Sequence, residues 1–127
     1  MLPEPYRLHH HADFSRTVRR GHRIGRRDLV LHAADRASFV EGDVRLDYGG
    51  PRFGLIVGKT VGNAVVRHRV SRRLRHICAG AVAAVPAEFD VVIRALPGAA
   101  SASSADLAAQ FHSGLRRLAP RAGVRRS

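Results

Sequence analysis

The chain carries a single cysteine, Cys78, and no tryptophan. One thiol cannot close a disulfide within the chain, nor can it supply the thiolates of a cysteine-based zinc cluster. Aromatic residues make up 6% of the sequence, so a binding surface built mainly on ring stacking is not expected. Long apolar runs are missing as well. The longest, Ile77 to Ala87, is broken by Gly80 and Pro86 and falls far short of the roughly 20 residues that span a bilayer. The first residues, Met1 to Leu8, hold two prolines, a glutamate and no apolar stretch, so no signal peptide is expected and the default location is the cytoplasm. Acidic residues are scarce: 10 Asp+Glu stand against 22 Lys+Arg, for a formal net charge of +12 and a pI of about 11.7.

What remains fits one small domain. The 127 residues, 13.9 kDa and 45% hydrophobic, are enough for one modest core. So large a surplus of positive charge repels itself unless a polyanion neutralises it, and nucleic acid comes before an anionic membrane as that partner. Lys59 is the only lysine, and 19 alanines accompany the arginines. That bias fits a GC-rich genome, so the choice of Arg over Lys is not by itself a sign of phosphate recognition. The excess of positive charge stands whatever the source of that bias.

The charge is unevenly placed. Residues 1–34 carry seven Arg against three acids, residues 64–76 carry five Arg and two His with no acid, and residues 116–126 add five Arg. Between the first two blocks, residues 35–51 carry four acids and two Arg among several glycines. A polyanion would avoid that segment, which reads as a solvent-facing loop insertion; residues 119–127 read as a basic flexible tail. His11 to Arg20 suits a short helix stopped by Gly21, with Phe14 and Val18 one turn apart. Ile24 to Ala34 reads as a strand with Leu29, Leu31 and Ala33 on one face and Asp28, Val30 and His32 on the other. Arg52 to Gly58 and Phe89 to Ala95 read as two further strands, with a helix from about Ala64 to Val85 between them. Ser103, three residues before Asp106, resembles a capping box opening a last helix to Leu118. The order α-β-β-α-β-α describes a small α+β sandwich, and the strand–helix–strand unit over 52–95 implies two parallel strands.

The central helix is the most informative segment. At about 100° per residue, Val66, Val70, Leu74, Ile77, Cys78, Ala81 and Val85 form one stripe. His68, Arg69, Arg72, Arg75 and His76 lie opposite, with Arg67 and Arg73 toward the stripe's edges. Five arginines within nine residues and no acidic partner call for compensation from outside the helix, and the planar guanidinium fork suits phosphate. Gly62 and Asn63 can cap the helix and offer backbone N–H groups where its dipole is positive.

The run Lys59-Thr60-Val61-Gly62-Asn63-Ala64-Val65-Val66-Arg67-His68-Arg69-Val70-Ser71-Arg72-Arg73-Leu74-Arg75 resembles the signature of the bacterial ribonuclease P protein subunit, approximately K-K-x-G-x-A-V-x-R-N-R-x-K-R-x-x-R. The likeness extends to Asp13 and Phe14 in the first helix, the basic turn before the first strand, the F-G-L-x-V strand before the motif and the D-V-V-I-R strand after it. The chain departs from the pattern at His68, Ser71 and Thr60, and has Val18 and His32 where the family's cleft tends to carry aromatics.

The resemblance implies a division of labour. The catalyst is a large RNA with bound Mg²⁺ that removes the 5′ leader of precursor tRNA, and the protein is an endoribonuclease only as part of that ribonucleoprotein. Lys59, Asn63, Arg67, His68, Arg69, Arg72, Arg73 and Arg75 would bind the RNA subunit. Phe14, Arg16, Arg27, Val30 and His32 would line a cleft for the single-stranded leader, His32 gaining charge as pH falls toward its ordinary value. The family fold has a left-handed βαβ crossover. A monomeric protein in a 1:1 complex with ribonuclease P RNA, bound to precursor tRNA and to no membrane, is expected.

Other residues invite other readings. His9, His10 and His11 are consecutive and cannot all face one ion, so a basic extension of the RNA surface is preferred to a metal site. Cys78 lies on the apolar stripe as a core thiol. The acids form no close pair on a rigid element outside residues 35–51, so catalysis by the protein alone is not expected. Two rival classes share the basic helix: a ribosomal-type RNA-binding protein with no role in cleavage, and a DNA-binding regulator, which would need a second short helix before residue 64.

Overall fold

The computed structural model describes residues 2–39 and 49–121. Helix α1 spans His11–Arg20, strand β1 His22–Gly25, β2 Leu29–Asp35, β3 Arg52–Ile56, helix α2 Ala64–Ala81, strand β4 Phe89–Ala95 and helix α3 Ser104–Arg121. The four strands form one sheet in the order β1-β2-β4-β3. Strand β2 runs antiparallel to both neighbours, while β3 and β4 are parallel, as a strand–helix–strand unit requires.

Helices α2 and α3 cover one face of the sheet. Leu29, Leu31 and Ala33 of β2, Val91, Ile93 and Ala95 of β4, and Phe53 of β3 meet Val70, Leu74, Ile77, Cys78 and Ala81 of α2 and Leu107, Phe111 and Leu118 of α3 in a single apolar core. The stripe read from the sequence is therefore the buried side of α2. Both expected caps form: Asn63 Oδ1 accepts from the Val66 N–H at 3.0 Å, and Ser103 Oγ from the Asp106 N–H at 3.0 Å. Helix α1 lies across β1, β2 and β4 on the opposite face.

Three expectations are corrected. The strand expected over Ile24–Ala34 is a hairpin, because Asp28 is tied to α3: its N–H donates to Gln110 Oε1 at 2.8 Å and its carboxylate accepts from Gln110 Nε2 at 2.8 Å. The Arg26 N–H closes the turn on the Leu29 carbonyl at 2.7 Å. The order is thus α-β-β-β-α-β-α. The central helix stops at Ala81 and tightens into a 3-10 turn over Val82–Ala84, since Pro86 holds Val85 extended at φ −108°, ψ 133°.

The segment 35–51 is not a solvent-facing loop at its start. Asp35 still pairs with Phe89 in the sheet. Arg36 is buried, donating to Asp90 Oδ1 at 2.7 Å and to the carbonyls of Phe89, Gly50 and Ala87 at 3.1, 3.0 and 2.6 Å. A guanidinium enters an interior only with a carboxylate and carbonyls to receive it. Residues 40–48 of that expected loop lie outside the described residues. So do residues 122–127 of the expected tail, whose first three residues continue α3.

Candidate nucleic-acid interface

Directly paired residues in neighbouring strands point to the same side of a sheet, so the register lays out the face beneath α1 in three rows. Arg52, Asp90 and Ala34 form the first; Gly54, Val92, His32 and Arg23 the second; Ile56, Arg94, Val30 and Gly25 the third. Helix α1 lies over this face across β1, β2 and β4, and its Phe14 reaches β3. The Phe14 ring lies on Gly54, where a Cβ would overlap ring carbons. Phe14, Val18 and Ile56, with His11, Ser15 and Arg19, line an open hollow of about 300 Å³ between α1 and the third row. Arg23 and Arg94 stand exposed on the same face.

The expected cleft residues therefore divide. Phe14, Val30 and His32 share this face, and Phe14 is half-buried at its edge. Arg16 is drawn under α1, donating to Asp13 Oδ1 at 2.8 Å and lying 3.6 Å from Asp90 Oδ2. Arg27 is on the β1–β2 turn and turns toward α3, with Asp28 at 3.1 Å and Asp106 at 4.0 Å. Sequence reasoning missed Ile56, Arg23 and Arg94, whose shared face appears only once the strand register is known, and Arg19, which joins the hollow from α1.

His32 is 4% exposed, and its Nδ1 finds no hydrogen-bond partner among the described residues. Burial pushes its pKa below the ordinary value, and the charges of Arg94 and Arg23 push it further the same way. The folded protein thus disfavours the imidazolium, and His32 takes up its proton at a lower pH than a free imidazole does. This corrects the expectation from sequence.

The signature residues surround α2 unequally. Lys59, Asn63, His68 and Arg72 are exposed, with Val65 also exposed at 75%. Arg67 is half-buried and donates from Nε to the Val57 carbonyl at 3.2 Å. Arg69 and Arg73 reach over the segment before α3, donating to the carbonyls of Ala100 at 2.9 Å and Ala102 at 3.1 Å. Arg75 faces the other flank and lines a second hollow, of about 210 Å³, together with Arg7, His9, Leu55 and Phe14. The basic helix and the α1 hollow are therefore contiguous, meeting at Phe14 and Arg75.

Cys78 is buried, and desolvation pushes its thiol up to about 12, so it is an inert core residue. Among the described residues no three His, Cys, Asp or Glu side chains group as a metal site, and no helix is long and apolar enough to cross a membrane.

A family model described as Ribonuclease P matches residues 2–119. The chain is 64% identical over 141 residues to the ribonuclease P protein component of Nocardia farcinica, with 100% of this chain and 89% of that one covered. It is 65% identical over 118 residues to that of Rhodococcus opacus, covering 93% and 92%. Among solved structures, the RNase P protein of Staphylococcus aureus superposes with a TM-score of 0.73 at 23% identity, covering 88% of this chain and 94% of that one. The RNase P protein of Thermotoga maritima gives 0.67 at 20% identity, covering 88% and 94%. At such identities the structural likeness speaks to the fold, and the sequence matches carry the family. They displace the ribosomal and DNA-binding alternatives: the chain belongs to the ribonuclease P protein component family, whose members bind RNA and serve the maturation of tRNA 5′ ends.

Proposed function

We propose that the protein acts in a 1:1 complex in which the RNA subunit, with its bound Mg²⁺, cleaves precursor tRNA and the protein seats the 5′ leader. The described residues do not fit a Mg²⁺ site of their own, since Asp13 and Asp90, which Arg52 brings together, are both taken by guanidinium groups. The chain's contribution is binding and orientation. Exposed Lys59, His68 and Arg72 meet RNA phosphates from α2, where Asn63 orders the helix start. The leader lies in the hollow of Phe14, Val18 and Ile56, its phosphates facing Arg19, Arg23 and Arg94. One ring among several cations suits a strand of variable sequence.

The meeting of Phe14 and Arg75 in one hollow carries this reading, because it joins leader and RNA subunit on a continuous surface. Reconstitution with a bacterial ribonuclease P RNA at near-physiological Mg²⁺ tests it. The protein should raise the affinity for precursor over mature tRNA and should cut nothing by itself. Phe14→Ala should weaken precursor binding by about five- to a hundred-fold, the loss of about 1–3 kcal/mol of stacking, and leave mature tRNA unaffected. Equal loss for both substrates would refute the leader assignment.

A further inference from the structure

We propose that Asp90 is a positioning residue for the leader seat, fixing α1 and hence Phe14 over the sheet through Arg52, Arg16 and Asp13. Asp90 belongs to β4, touches no face open to solvent, and has a side chain 1% exposed. Its carboxylate gathers arginines from three separate elements. Oδ1 accepts from Arg36 at 2.7 Å and from Arg52 Nε at 2.8 Å; Oδ2 accepts from Arg52 Nη2 at 2.8 Å and lies 3.6 Å from Arg16 Nη2. Two of those arginines, Arg52 from β3 and Arg16 from α1 itself, also meet Asp13 of α1. Arg52 Nη1 donates to Asp13 Oδ2 at 3.4 Å, and Arg16 Nη2 to Asp13 Oδ1 at 2.8 Å.

The apolar residues of α1 beside the hollow, Phe14 and Val18, are only half-buried. Thr17 is the helix's only buried residue, and the Thr17 hydroxyl is spent on the Asp13 carbonyl within the helix at 2.8 Å. An amphipathic helix is normally seated by its apolar face; this one adds ion pairs to that contact. Phe14 follows Asp13 directly, and Gly54, against which its ring rests, lies two residues after Arg52 on the same face of β3. The strand that carries the ion pair to Asp13 thus also carries the floor of the ring. Moving Asp13 moves Phe14 and changes the depth of the hollow. Because the Asp90 carboxylate is buried, its pairing with Arg36 and Arg52 is screened little by solvent.

The inference rests on the hollow being the leader seat, and its test separates the two. Full-length Asp13→Ala, Asp90→Asn, Phe14→Ala and the double Asp13→Ala/Phe14→Ala are each assembled with ribonuclease P RNA. Binding is measured to the RNA subunit, to precursor tRNA and to mature tRNA. Alanine at 13 preserves helix propensity while removing both oxygens. Asp13→Ala should lower precursor affinity by about ten-fold, as misplacement of a binding group does, with the other two affinities unchanged. Its effect should nearly vanish in the Phe14→Ala background, and Asp13→Glu should recover part of the loss. Asp90→Asn should act likewise and more strongly; should it fail to fold, the Asp13 series decides. Full precursor affinity in Asp13→Ala alongside a loss in Phe14→Ala would overturn the positioning role alone. Equal losses on all three ligands would reduce the network to a structural one. No effect of Phe14→Ala would remove the leader seat itself, and the proposal with it.

Discussion

The ring of Phe14 rests directly on the backbone of Gly54, with no room between them for a methyl group. That contact sets the wall of the hollow, and it depends on glycine for space rather than for any unusual backbone angle. Gly54→Ala should therefore push Phe14 outward. The cost should be that of overpacking, about 1–3 kcal/mol of stability, with weakened precursor binding and intact binding to the RNA subunit. Thermal denaturation together with a comparison of precursor and mature tRNA checks this. Unchanged stability and unchanged precursor binding would show that α1 yields freely.

The arginines of α2 should fall into two groups. Arg72 is exposed and makes no hydrogen bond or ion pair with the described residues, so Arg72→Ala should leave stability within about 0.5 kcal/mol. It should lower RNA affinity and reduce the slope of log affinity against log salt by about one. Arg69 and Arg73 brace the carbonyls of Ala100 and Ala102, so their alanine variants should also lose about 1 kcal/mol of stability. Urea titrations beside filter binding at several salt concentrations separate the groups. A destabilised Arg72→Ala with an unaltered salt slope would reverse the assignment.

Local order was legible where the sequence repeats a period or places a cap. The α2 stripe from Val66 to Ala81, the caps at Asn63 and Ser103, and the alternation of Leu29, Leu31 and Ala33 each depend on neighbours within a few residues. What escaped depends on distant partners. Arg36 looked like a loop charge because Asp90, which receives it, is 54 residues away. The turn after Gly25 was hidden because Asp28 is fixed by Gln110, 82 residues on. Ile56 lines the hollow, and Arg94 stands beside Ile56, by the register between β3 and β4, which no local pattern encodes. Half of the site is thus a property of pairing, and the motif-bearing helix is the half that could be read directly.

Cys78 supplies a probe of the core. With its thiol pushed up to about 12 by burial, it should resist alkylation at neutral pH while the protein is folded. Labelling should then follow global unfolding by denaturant, because the thiolate forms only once the α2 stripe is exposed. Rapid labelling of the native protein would contradict the packing of Leu74, Ile77 and Cys78 against the sheet.

His32 gives a pH dependence whose sign is fixed by its surroundings. Burial, then Arg94 on β4, then Arg23 on β1 all disfavour the imidazolium, so the folded-state pKa lies below the unfolded value of 6.5. Above that unfolded value both states hold His32 neutral, and its contribution to stability does not change. As pH falls below about 6.5 the unfolded chain binds a proton that the folded protein still refuses, so stability declines. The decline continues until pH passes the lower folded value, with a slope of at most about 1.4 kcal/mol per pH unit for one proton. His32→Gln removes the titrating group while keeping a polar side chain. Subtracting the stability of the variant from that of the unsubstituted protein across about pH 8 to 5 isolates the residue from the other seven histidines of the chain. The difference should be flat above neutrality and fall on the acid side, and precursor binding between about pH 7 and 8 should show no contribution from His32 charge. A difference that rises as pH falls would mean that an anion meets the imidazole in the folded protein, and would place His32 outside the cationic face described for it.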